Sequence, residues 1–231
     1  MDAVADAVGK ESEKPPFYYS EESQQNKFNC AACGELNDVL GRFAYCSSCA
    51  TRNDIQELEA KTIRQIRARV NSGGPYEDCV KDAVAAFDSF ANQYLQQLVQ
   101  LVPMTPARVA RYKKMRFHNL KNVADEMKTA FDIDICNGIN SNDVKFAALM
   151  FHRRHVYEHK GGEADEKYIL DSGDTSVRLK QALHETQESA HRLVTLVGRL
   201  AGNLHRGFHE IFPPVRGRIE AYAARQALAD R

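Results

Sequence analysis

From residue 53 onward, apolar side chains recur at the three- to four-residue spacing of amphipathic helices. Ile55, Leu58, Ile63, Ile66 and Val70 form one such series, closed by Asn71-Ser72-Gly73-Gly74-Pro75. Val80, Val84, Phe87, Phe90, Tyr94, Leu98 and Leu101 form a second stripe across residues 76–102, broken by Pro103 and Pro106. Shorter helices are expected at 106–116 and 119–131. The segment Gly138-Ile139-Asn140-Ser141-Asn142 reads as a turn, with Ser141 as the cap of the next helix and Gly161-Gly162 as its end. A polar loop through Asp171-Ser172-Gly173-Asp174 leads to a long helix at 176–211. Pro213-Pro214 stops that helix, and a short one follows at 216–229. No alternating apolar run with hairpin chemistry follows residue 53. The fold class expected is therefore all-α. A linker helix at 53–75 leads into a bundle of about four or five helices at 76–212, and a C-terminal helix or tail occupies 213–231.

The first fifty residues follow a different pattern. Residues 1–26 are polar, contain Pro15-Pro16, and are expected to form a disordered lead. Residues 27–52 hold Cys30-x2-Cys33 and Cys46-x2-Cys49, two pairs separated by twelve residues. Each short turn can present two thiolates to one tetrahedral Zn²⁺, so this segment reads as a small zinc ribbon. Gly34 follows the first pair where a left-handed residue is often required. Residues 37–45, turning at Gly41, are expected to supply a short hairpin. Four thiolates close the coordination sphere, which makes the zinc structural. Two disulfides or four unrelated thiols are the competing accounts, and they fit paired spacing poorly. Cys79 and Cys136 are expected to be buried thiols.

Composition changes this picture little; charge distribution changes it more. The hydrophobic fraction of 43% suffices for a core, and Lys+Arg and Asp+Glu both number 31, so net charge selects no partner. Residues 104–124, however, contain no acid and carry Arg108, Arg111, Lys113, Lys114, Arg116 and Lys121, a stretch able to face a polyanion or simply to be solvated. No basic start with an apolar run opens the chain, and no apolar segment is long enough to span a bilayer. A cytoplasmic location without membrane attachment is the expectation.

The densest candidate chemistry lies in residues 151–162, FHRRHVYEHKGG, near the end of a predicted helix. His152, His155 and His159 fall near one helix face and could gather a metal, but Arg153, Arg154 and Lys160 crowd the same turns with positive charge. A solvated cationic face is the bland alternative. The third reading is metal-free phosphodiester chemistry. Arginine grips phosphate through a planar fork, and histidine moves protons near neutral pH. Neutral His159 could take the proton of an RNA 2′-hydroxyl while Arg154 stabilises charge on the phosphate. Neighbouring cations are expected to disfavour protonation of His159. Five positions apart, the two side chains diverge by roughly 140° on an ideal helix. A cleft shared by two copies about a twofold axis would bring such pairs together.

The same run, with its Arg154-His155-x3-His159 core, resembles the signature of HEPN domains, a family of helical nucleotide-binding modules. Asp165-Glu166-Lys167-Tyr168-Ile169 and Ser172-Gly173-Asp174-Thr175 are similar to the segment that follows the motif in one bacterial branch. The resemblance covers residues 76–212. It implies a HEPN-like helical bundle acting as a homodimer, and a metal-independent endoribonuclease of the toxin or antiviral kind. Arg154 and His159 would carry catalysis, His155 would assist, and the products would be a 2′,3′-cyclic phosphate and a 5′-hydroxyl. Arg153, Lys160, Arg111, Lys113, Lys114 and Arg116 are the expected RNA-binding cations. A cognate antitoxin or other protein regulator is a further implied partner. Gly161 stands where one toxin branch carries a regulatory tyrosine, which puts that form of control in doubt. The alternative is a non-catalytic HEPN-type module that binds nucleic acid, nucleotide or protein.

Overall fold

The structure is a computed structural model, and it describes residues 25–115, 117 and 119–229. The predicted lead therefore lies largely outside the described residues, as does Arg116. The chain divides into two compact units, one of residues 55–213 and one that joins the cysteine segment to residues 214–231. Among the described residues the protein is overwhelmingly helical, with one two-stranded sheet.

In the smaller unit, strand β1 (Gln25–Asn29) pairs antiparallel with β2 (Leu36–Leu40), Phe28 opposite Asn37. The first cysteine pair is thus the loop of the hairpin. This corrects the hairpin expected within residues 37–45, because the cysteine turn itself reverses the chain. Gly41 (φ +80°) merely ends β2.

The larger unit begins with a continuous helical run: α1 (Asp54–Glu57), a π-helical stretch (Leu58–Ile63) and α2 (Arg64–Asn71). Leu58, Ile63, Ile66 and Val70 are buried in the main core, so this segment is part of the bundle as well as a connection to it. Helix α3 (Tyr76–Leu101) is the central element, and α4 (Pro106–Lys113) is capped by Thr105, with Pro106 in its first turn. Helix α5 (Leu120–Phe131) is capped by Asn119, and α6 (Ser141–His159) by Asn140. Asn140, one residue before the expected Ser141, accepts the Asp143 amide.

Two features after α6 differ from the sequence expectation. A short helix α7 (Glu166–Ser172) occupies what reads as loop, capped by Asp165 and ended by Gly173 at φ +63°. The long helix α8 (Gln187–Ile211) starts eleven residues later than expected, at a capping box made by Thr186 and Ser189. Residues 174–185 are irregular because Asp174 and Glu185 are drawn inward to a buried cation, described below.

The core forms where α3 packs on α8 and α6. Phe87 meets Phe151 edge-on at 5.7 Å, and Tyr94 meets Phe208 at 5.1 Å. The Tyr94 hydroxyl shares a 2.7 Å hydrogen bond with His205 Nδ1, which satisfies a phenol that is otherwise sealed in apolar surroundings. Gly207 lets α8 approach the segment after α5 so closely that a Cβ would lie 2.6 Å from Ile133 Cγ2.

Candidate functional site

Two sites emerge, one in each unit. In the smaller unit, Cys30, Cys33, Cys46 and Cys49 are all buried, and their sulfurs lie within 4.8 Å of one another. Cys30 Sγ is 3.7 Å from Cys49 Sγ, and Cys33 Sγ is 3.6 Å from Cys46 Sγ. Tetrahedral Zn–S bonds of ~2.3 Å would place sulfurs ~3.8 Å apart, close to these two separations, so the cluster could hold such an ion. A disulfide would need ~2.05 Å, which these separations exclude.

The two cysteine turns share one backbone plan. Gly34 N–H donates to the Cys30 carbonyl at 2.8 Å, and Ala50 N–H donates to the Cys46 carbonyl at 2.9 Å. Gly34 and Ala50 both have positive φ. Buried Asn37, which the sequence did not single out, steadies the second turn. Its amide reaches Cys46 Sγ at 3.5 Å, and its carbonyl oxygen accepts from Ser47 N–H at 2.8 Å. Burial pushes the Cys30 thiol up to about 12. Burial also acts on Cys46, but the amides of Cys49 and Ser48 and the Asn37 side chain outweigh it and bring that thiol down to about 7. Cys46 thus offers the most readily formed thiolate of the two.

Helix α9 (Arg216–Ala229) completes this unit. Val215 N–H donates to the Cys49 carbonyl at 2.9 Å, and Ile219 packs on the cysteine cluster. The Tyr222 ring lies where a Cβ on Gly34 would sit, 2.2 Å away. Gly34→Ala therefore meets both a steric clash and a strained φ, and is expected to lower the thermal stability of this unit by about 1–3 kcal/mol. Calorimetry of the intact protein checks this.

In the larger unit, α6 carries the motif. The structure separates Arg153 from Arg154 sharply. Arg153 turns inward, its guanidinium 3.0 Å from Asp174 Oδ2 and 3.0 Å from Glu185 Oε1. Its Nε also reaches the Tyr168 hydroxyl at 3.3 Å. Burial works against its charge, but the bonds to Glu185, Asp174 and Tyr168 win and raise its pKa. Tyr168 donates to Asp174 at 2.6 Å and Tyr157 to Glu185 at 2.7 Å, so the network satisfies its own polar atoms. Arg153 holds α7 and the start of α8 to α6. Arg153 is among the RNA-contacting cations expected from sequence; its guanidinium here is taken up by Asp174 and Glu185.

Arg154 is covered to a similar degree, 14% exposed against 13% for Arg153, but its ion-pair partner among the described residues is a single, exposed carboxylate. Its Nη2 lies 2.7 Å from Oε2 of Glu158, and that same oxygen is 3.8 Å from Nε2 of His159. The two groups expected to diverge thus meet at one anionic oxygen, because long side chains bridge an angular gap that Cβ directions leave open. A carboxylate therefore stands beside His159 in addition to the cations expected there. The His155 ring lies 4.8 Å from the His159 ring, and both histidines are exposed. Lys160 pairs with Asp165 at 3.2 Å. Among the described residues only the four cysteines gather as a metal-binding group; the histidines of α6 do not.

The remaining basic residues lie on and after α4. Arg111 pairs with Glu126, while Lys113 and Lys114 are exposed at the helix end. Asn119, the cap of α5, lines a cleft of about 230 Å³ between α6 and α7 together with His152 and His155. Among the described residues, no helix is long and apolar enough to cross a membrane.

No family model, curated protein or solved structure matches the chain. The site must be read from its own chemistry.

Proposed function

We propose that the protein is a metal-independent, HEPN-type endoribonuclease that works as a homodimer, with a structural zinc ribbon attached. One observation carries this reading: a guanidinium and an imidazole converge on a single anionic oxygen, Glu158 Oε2, in the last turns of α6, where Glu158 and His159 are exposed and Arg154 is largely covered. A phosphodiester oxygen can replace that carboxylate, paired with Arg154 and within reach of His159. His159 takes the 2′-hydroxyl proton, the 2′-oxygen attacks phosphorus, and Arg154 stabilises charge on the non-bridging oxygens. The 5′-oxygen departs and gains a proton, for which His155 is placed beside His159. The products are a 2′,3′-cyclic phosphate and a 5′-hydroxyl. A second copy supplies the facing wall of the cleft, and Lys113, Lys114 and Lys160 attract the polyanion. Toxin or antiviral action in the cytoplasm, restrained by an antitoxin or another protein regulator, suits such an enzyme.

The test is incubation of mixed RNA with the wild type beside His159→Ala, followed by analysis of product ends. Cyclic phosphate ends from the wild type alone support the reading. RNA retained but uncut by both proteins would instead establish a binding module. Four closed thiolate ligands leave no open position for chemistry, so zinc serves the fold of the smaller unit. Cys49→Ser is expected to abolish stoichiometric metal, measured by elemental analysis, and to cooperatively unfold that unit.

A further inference from the structure

Resting on the reading above, we propose that the cleft between α6 and α7 binds the nucleobase adjacent to the scissile phosphate. Three observations lead there. The first is composition. The cleft reaches Phe151, Val156 and Tyr168, all nearly inaccessible, so its floor is apolar and aromatic. Its rim carries His152, Asp171 and Lys167, and the last two neutralise one another at 2.5 Å. Asp165, also on the rim, is paired with Lys160. A cleft with an apolar floor and charge-balanced walls is a poor site for a phosphate. It suits an uncharged planar heterocycle with hydrogen-bonding edges.

The second observation is position. His155 lines this cleft and also lies 4.8 Å from the His159 ring. The anion position at Arg154 and the cleft are therefore adjacent parts of one surface, as the phosphate and base of one nucleotide require. The third is protonation. Burial lowers the pKa of His152, more than the nearby Asp171 raises it. A neutral imidazole can both donate to and accept from a base edge. Single-stranded RNA is recognised in this manner, with unstacked bases laid on aromatic or imidazole surfaces and read along their edges.

The experiment uses the intact protein and a single-stranded oligonucleotide made uncleavable by 2′-O-methyl groups, with one abasic position moved along the strand. Binding is followed by fluorescence anisotropy. One position is expected to lose affinity about tenfold when its base is removed. In His152→Ala the intact strand is expected to bind as weakly as that abasic strand, with no further loss at the position. A flat scan in the wild type overturns the proposal without any variant, as does a positional effect that survives His152→Ala. Arg154→Ala separates this inference from the reading beneath it. It should weaken every strand equally, abasic ones included. If it leaves binding unchanged, the phosphate site is wrong and the base site falls with it; if it weakens binding while the scan stays flat, only the base site falls.

Discussion

Arg154→Ala is expected to lower RNA cleavage by about 10²–10³-fold while leaving the protein folded. The magnitude follows from the role. A donor aimed at charge that develops in the transition state contributes more there than it does in the ground state. Folding should be spared because Glu158, the ion-pair partner of Arg154 among the described residues, is 40% exposed and can turn to solvent once the guanidinium is gone; the largely covered Arg154 stem adds a packing loss within the ordinary range of about 0.5–3 kcal/mol. Glu158→Gln should act in the opposite direction. Its carboxylate occupies the place proposed for the phosphate, so neutralising it is expected to tighten RNA binding by roughly fivefold at low salt, with a smaller gain at high salt. Single-turnover cleavage and binding titrations on the two variants check both signs. A Glu158→Gln protein that binds RNA more weakly would mean that the acid organises the site and does not obstruct it.

Arg153→Ala should do what Arg154→Ala does not. Deleting this guanidinium leaves Asp174 and Glu185, both nearly inaccessible, facing each other's surroundings without a cation. Breaking a buried pair in this way costs about 3–5 kcal/mol, so the variant is expected to melt much earlier or not to accumulate as folded protein. The same network predicts acid sensitivity. Burial alone would raise the Asp174 carboxyl, but hydrogen bonds from Ser176, Tyr168 and Arg153 outweigh it and bring the group from its ordinary 3.8 down to about 2. Because it titrates lower in the folded protein than in the unfolded chain, its stabilisation is complete above about pH 4 and is lost as pH falls toward 2. Asp174→Asn should flatten stability across that interval. Denaturant titrations at stepped pH measure the difference.

The contrast between these neighbours marks where sequence reading succeeds and where it stops. The zinc ligands were legible because they are local: two residues between each cysteine pair dictate the turn. The helical stripe of α3 was legible because Val80, Val84, Phe87, Phe90, Tyr94 and Leu98 recur at helical spacing and all are buried in the core. Arg153 and Arg154 are chemically identical and adjacent, and what separates them are carboxylates 21 and 32 residues away. No local pattern encodes that. The shared oxygen of Glu158 was equally hidden, since it depends on side-chain reach and not on Cβ direction.

Helix α7 was missed for a different reason. Asp165 before Glu166 and Gly173 at the end are ordinary start and stop signals, but a seven-residue helix offers only Tyr168 as a fully buried position, too little periodicity to register. The late start of α8 has the same origin as the Arg153 network. Residues 176–186 read as the first turns of α8, yet Asp174 and Glu185 must reach Arg153, and the chain takes an irregular path to deliver them. The attachment of α9 to the cysteine unit rests on contacts 166 and 188 residues apart in sequence, of Val215 with Cys49 and Tyr222 with Gly34, and composition gives no sign of it.

The central claim is that Arg154 and His159 cut RNA without help from a metal ion. Cleavage of mixed RNA in excess chelator, by wild type and by His159→Ala, tests it most directly. The wild type should cut undiminished and the variant not at all. Cutting that stops in chelator, returns with Mg²⁺ and persists in His159→Ala would contradict it.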